Sequence, residues 1–162
     1  MAGKEDRMEG PVSSMPWDEV VQRVGTEFGP TPWTTVTQAQ INAFADATDD
    51  HYFIHVDPQR AAATPLKGTI AHGMLTLSLL PAMSYQVIPF IEGARFPLNY
   101  GFNRVRFVAP VPVGARLRGR FVLRQAEVLR ADQRQLITDV TVEREGATAP
   151  VLVAEWVTRF VF

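Results

Sequence analysis

The sequence predicts an α+β fold in which a curved antiparallel sheet wraps one buried helix. Three observations carry this. Helix-period patterns dominate the N-terminal part of the chain. One segment, Ala71 to Met83, is apolar almost all round, the mark of a helix covered on every side. From Tyr100 onward the period falls to two, in runs joined by short turns, which is the pattern of an antiparallel meander. A helix that is apolar on all sides needs cover all round, and a strongly curved sheet supplies it.

The elements follow in order. Residues 1–12 read as a flexible leader, and residues 13–162 as a single domain. Trp17, Val20, Val21 and Val24 recur at helical spacing, with Pro16 suited to the first turn and Gly25 to a left-handed stop. Thr37 and Gln40 form a capping box. The helix it opens carries Ile41, Phe44 and Ala45 on one face and ends near Thr48. Asp57 and Pro58 read as an N-cap and first helical residue, opening a short helix to Ala63. Thr64 to Gly68 is a loop. In the apolar helix, Pro81 deletes a backbone hydrogen bond and should kink or shorten it. Tyr100 to Val108 is strand-like. Arg116 to Arg124 sets Leu117, Phe121 and Leu123 against Arg116, Arg118, Arg120 and Arg124, a half-buried strand. A turn at Ala131–Gln133 leads to a strand from Gln135 to Glu143, and a turn at Gly146–Pro150 leads to a last strand ending at Phe162. The meander is expected to end on an open edge strand, which invites pairing with a second copy.

Composition excludes several classes. At 162 residues, 46% hydrophobic and 20% charged, the chain can build a core and is not globally disordered. Sixteen Lys and Arg against 17 Asp and Glu leave a net charge of −1, which gives no basic surface for a nucleic-acid backbone. There is no cysteine, so disulfides, thiolate metal sites and thiol nucleophiles are excluded. Met1 to Gly10 lacks an apolar core, and no run approaches the ~20 apolar residues of a membrane span. No secretory signal and no membrane segment are therefore expected, and a cytoplasmic location is.

The chemistry concentrates in one stretch. His51, His55 and His72 are the only histidines, and the first two lie in Asp49-Asp50-His51-Tyr52-Phe53-Ile54-His55-Val56-Asp57-Pro58. Acids and imidazoles set among apolar residues are the means of making a general base that works near neutral pH. The bland readings stand beside this: Asp57 as a cap, Asp49 as a solvated acid, and each histidine as a satisfied core residue. A zinc site would need carboxylate help, and no metal is expected.

The Asp-x-x-x-x-His pattern, followed by Ala71-His72-Gly73-Met74-Leu75, resembles the MaoC-like dehydratases, which include the (R)-specific enoyl-CoA hydratases. Phe44–Thr48, Ile54–Pro58, Gly68–Gly73, Asn99–Phe107 and Pro112–Gly114 resemble the nodulation-protein-N-like branch, so the likeness covers roughly residues 17–162. It implies a hotdog fold, a two-fold dimer, and catalytic roles for Asp50 and His55. These would hold one water for addition to carbon 3 of a trans-2-enoyl thioester, with Asp50 the expected proton acceptor and His55 orienting the water and passing the proton toward carbon 2. The alternatives are a non-catalytic acyl-thioester-binding protein and a thioesterase.

Gly73, at the start of the apolar helix, is the expected oxyanion donor, its missing Cβ admitting the thioester carbonyl to a backbone N–H. The competing reading is simple packing against the sheet. Tyr52 and His72 are expected to line the substrate site, though His72 also fits a capping role. Arg104 and Arg106 share a strand face and suit the phosphates of coenzyme A or an acyl carrier's phosphopantetheine; ordinary surface arginine is the alternative. That carrier is part of the substrate, and no separate cofactor is implied. The sequence departs from the family pattern at Asp49, where the family has Gly, and at Tyr52 and Phe53. If Asp49 faced the pocket, its charge would oppose ionisation of Asp50. A solvent-facing Asp49 is expected, since neighbours in extended chain point apart.

Overall fold

Four long strands and a broken helix form the core of the computed structural model, which describes residues 13–162. The expected leader, residues 1–12, lies outside them. The elements are β1 (Ser14–Met15), α1 (Trp17–Gln22), β2 (Glu27–Phe28), β3 (Thr34–Thr35), α2 (Gln38–Thr48), α3 (Phe53–Val56), α4 (Pro58–Ala62), α5 (Gly73–Ser78), α6 (Leu80–Ser84), β4 (Phe90–Ile91), β5 (Phe96–Phe107), β6 (Arg116–Arg130), β7 (Gln133–Arg144) and β8 (Leu152–Val161).

The main sheet runs β2-β6-β7-β8-β5, with β3 also on β6, and every pairing in it is antiparallel. The three last strands form the expected meander. The open edge, however, is not where the chain order puts it. The C-terminal β8 lies between β7 and β5, and the twelve-residue β5 is the outermost strand. Strands also run longer than the alternation suggests. β5 begins at Phe96, and β6 continues past Arg124 to Arg130 across a register shift between Leu123 and Gln125. That shift breaks the period of two that marked the strand in sequence.

The inward residues of β6 (Leu117, Phe121), β7 (Val140, Val142) and β8 (Leu152, Ala154, Trp156) meet Ile41 of α2 and Leu75, Leu80 and Met83 of the central helix. Full burial of each large side chain contributes about 1.5–3 kcal/mol against the unfolded chain. Gly119 marks the tightest approach. A Cβ there would come within 2.9 Å of the Phe121 ring and 3.3 Å of Met83 Sδ.

Two helix expectations are corrected. The apolar segment is not one helix buried all round. It breaks at Leu79 into α5 and α6, with Pro81 in the first turn of α6, where the lost N–H costs little. Leu75, Leu80 and Met83 pack into the core and Thr76 is buried beside them, but Met74 is 56% exposed, and Ser78 and Ala82 continue that solvent-facing line. In α1, only Val20 is buried; the helix stops at Gln22, so Val24 falls beyond it. Pro16 is its N-cap rather than a residue of the first turn. Gly25 takes the expected left-handed conformation (φ 88°), and its N–H donates to Leu123 O at 2.7 Å. The Thr37–Gln40 capping box and the Asp57 cap form as expected. Among the described residues no helix is long and apolar enough to cross a membrane.

Candidate active site

Asp50 and His55 are placed by the way α2 ends. Asp49 caps it in the left-handed conformation, φ 60°, and the chain turns through Asp50 to Tyr52 before α3 begins at Phe53. His55 lies in that single turn. Its backbone is held from two sides: its N–H donates to Tyr52 O at 2.9 Å, and Gln38 Nε2 donates to its carbonyl at 2.8 Å. Gln38 is held in turn by Thr69, whose hydroxyl donates to Gln38 Oε1 at 2.6 Å. The ring is oriented by Ile70, whose carbonyl lies 2.7 Å from His55 Nδ1. A carbonyl only accepts, so Nδ1 carries the proton, and in the neutral ring Nε2 is left with a lone pair.

His72, only 3% exposed, stacks on His55 with ring centroids 3.8 Å apart. Its Nε2–H donates to the Asp50 backbone carbonyl at 2.9 Å, and the same nitrogen lies 4.0 Å from Asp50 Oδ2. One ligand-capable atom from each of Asp50, His55 and His72 lies within 4.8 Å of the others. Two hydrogen bonds of about 2.8 Å meeting at a water oxygen span about 4.6 Å, so one water can bridge such a pair. The same trio is the group among the described residues with metal-ligand spacing. Two of its four ring nitrogens are already engaged by backbone carbonyls.

Beside His55 opens a cleft of about 230 Å³, lined by Ala71, Gly73, Thr76, Phe107 and Val151 among others. Its two walls are joined by main-chain pairing: Ala71 N–H donates to Val111 O at 2.8 Å and Val113 N–H to Thr69 O at 2.9 Å. Gly73 opens α5, where backbone N–H groups lack intrahelical partners. A Cβ on Gly73 would stand 3.0 Å from Cγ and Cδ1 of Phe107. Glycine there is thus required by close packing, and it also leaves the cleft wall bare at a helix start.

Tyr52, Arg104 and Arg106 do not line the cleft. Tyr52 is 60% exposed and packs edge-on against Phe53. Arg104 and Arg106 pair across the sheet with Glu155 and Val153, on the face opposite Val105 and Phe107, which face the helices. The structure does not bring these arginines to the cleft. Asp49 projects fully into solvent, the expected outcome with a different cause: its left-handed cap, not extended alternation, turns it outward. Glycine adopts that conformation without steric cost. Asp49→Gly is therefore expected to raise the melting temperature slightly and leave the acidic limb of the pH–rate profile in place; a shift of that limb by a unit or more would show that the carboxylate acts on the site.

Gln38, Thr69 and Phe107 escape the sequence reading. Gln38 reads as an ordinary first-turn residue of a capped helix. Its partners are distant in the chain, and no local pattern announces them.

Comparisons with known proteins identify the family. The MaoC like domain family matches residues 19–145. The chain is 50% identical over 141 residues to nodulation protein N of Rhizobium leguminosarum bv. viciae, covering 86% of this chain and 88% of that one. It is 46% identical over 143 residues to 3-hydroxyacyl-thioester dehydratase Z of Mycobacterium tuberculosis (strain ATCC 25618 / H37Rv), covering 88% and 94%. The solved (R)-hydratase from A. caviae involved in PHA biosynthesis matches with a TM-score of 0.65 at 27% identity, over 83% of this chain and 94% of that one. A family match across most of the chain, near-full-length relatives and the shared hotdog architecture together place this chain in the MaoC-like dehydratase family.

Proposed function

We propose that this protein adds water across the double bond of trans-2-enoyl thioesters to give (R)-3-hydroxyacyl thioesters, and runs the reverse dehydration, as a lyase of fatty-acid metabolism in the cytoplasm. The observation that carries the reading is the convergence of Asp50 and His55 beside a cleft whose wall is a helix start at Gly73. The relatives named as a dehydratase and an (R)-hydratase support the same chemistry.

Carbon 3 is electrophilic only while the thioester carbonyl can carry enolate charge. The site therefore needs acceptors for water and donors for the carbonyl oxygen. The Asp50 carboxylate and the His55 Nε2 lone pair each accept a hydrogen from one water, which leaves its oxygen free to attack. Asp50 takes the proton as the C3–O bond forms, and the proton is returned to carbon 2. Gly73 offers its N–H to the carbonyl. Coenzyme A or a phosphopantetheine carrier is part of the substrate, and the chemistry asks for no other cofactor.

The test is incubation with crotonyl-CoA, following enoyl absorbance and free thiol together. Loss of absorbance without thiol is the expected result. Thiol release would make the protein a thioesterase, and neither change would favour a non-catalytic acyl-thioester binder or an enzyme for another acyl chain length.

We also propose a homodimer, built on β5. That edge strand leaves its outer backbone groups unpaired and exposes Phe96, Leu98, Tyr100 and Phe102, the kind of edge that proteins cover. Light scattering at micromolar concentration is expected to report twice the chain mass; a monomer would remove this part of the reading.

A further inference from the structure

Thr76 has no hydrogen-bond partner for its hydroxyl, although the side chain is only 2% exposed. This sets it apart from its own class. Every other helical Ser or Thr among the described residues donates to a backbone carbonyl three or four residues back: Thr48 to Phe44 at 2.7 Å, Ser78 to Met74 at 2.8 Å and Ser84 to Pro81 at 2.9 Å. That back-bond is the ordinary resting place of a helical hydroxyl, and Thr76 does not make it. A buried hydroxyl left unpaired weakens the fold, so its retention calls for a use.

The position suggests one. Thr76 lies one turn after Gly73, on the same helix face, and helical side chains lean back toward the N-terminus. Both residues line the cleft beside His55. Of all the lining residues only His55 and Thr76 have polar side chains; the rest are aliphatic, aromatic or glycine. With Nδ1 of His55 committed to Ile70 O, the other nitrogen of the neutral ring is an acceptor. Thr76 is thus the one free side-chain donor in the cleft wall. The reaction needs a donor there, because enolate charge gathers on the thioester oxygen as water adds to carbon 3. In apolar surroundings such a donor acts strongly.

We infer that the Thr76 hydroxyl donates a hydrogen bond to the thioester carbonyl oxygen, beside the Gly73 N–H, and so takes part in stabilising the enolate. The inference rests on the hydratase reading above and adds a side chain to it.

The test compares wild type, Thr76→Val and Thr76→Ser with crotonyl-CoA, alongside their melting temperatures without ligand. Valine matches the shape and removes the hydroxyl. It is expected to lower kcat about 10–100-fold with little change in KM. It is also expected to raise the melting temperature by about 2–4 °C, because an unpaired buried hydroxyl has gone. Serine keeps the donor and should retain kcat within about threefold of wild type. Valine turnover within about twofold of wild type would overturn the inference while leaving the hydratase reading intact. A lower melting temperature for valine would also overturn it, since the hydroxyl would then be used inside the protein, for instance on the unpaired Nδ1 of neighbouring His72. A wild type that hydrates neither crotonyl-CoA nor longer trans-2-enoyl-CoA substrates would remove the hydratase reading and this inference with it.

Discussion

Asp50→Asn and His55→Ala are each expected to lower crotonyl-CoA turnover by about 10²–10⁴-fold while the fold stays intact. The two side chains act on one water, so losing either removes an acceptor that the other cannot replace. Asp50 is suited to a clean test. Its carboxylate is half exposed, and His72 holds its backbone carbonyl, which asparagine keeps. His55→Ala leaves the Ile70 carbonyl without its ring partner, so His55→Asn, which can offer an N–H there, is the companion variant. Circular dichroism should show native folds for all three. The double variant should be little worse than the weaker single one, since groups that act as a unit are not additive. Near-wild-type turnover in a folded Asp50→Asn or His55→Ala protein would remove the assignment.

Gly73→Ala is expected to cost about 10²-fold in kcat and to lower stability as well. The new Cβ would meet the Phe107 ring at 3.0 Å, tighter than ordinary carbon contacts. Packing and catalysis are thus confounded in the single variant. Gly73→Ala combined with Phe107→Leu separates them, with Phe107→Leu alone as the control. The smaller side chain relieves the contact, so the double variant should recover its melting temperature. Its turnover should stay low if the bare glycine admits the thioester to the backbone N–H. Recovery of both would make Gly73 a packing residue and nothing more.

Much of this was legible in the chain because it is local. The Thr37–Gln40 box, the Asp57 cap and the period of two in β6 are written in neighbouring residues, and each forms. Asp50 and His55 were legible as a pair through the resemblance of the Asp-x-x-x-x-His pattern to the MaoC-like dehydratases; spacing alone left each with an ordinary structural reading. Two other kinds of information were not. Met74 and Ala82 read as core because hydropathy records what a side chain prefers, not whether the sheet reaches it. Arg104 and Arg106 were rightly placed on one strand face. Which face that is depends on pairing with β8, including register shifts at Asn99/Gly101 and Phe102/Arg104. The His55–His72 stack and the Gln38–Thr69 bond join segments far apart in the chain, where no spacing rule applies.

The seam between the walls of the cleft has a consequence for how the site fails. One wall comes from the helical half of the chain and the other from the strand half, and main-chain bonds from Ala71 and Val113 close the gap. Those amides belong to no long element, yet Ala71 is nearly fully buried. If they exchange hydrogen with solvent only as fast as the central strands, the catalytic pair and its cleft vanish together with the whole fold, in one cooperative step. Faster exchange would mean that the seam opens by itself, and that a fully folded sheet can carry a dismantled site.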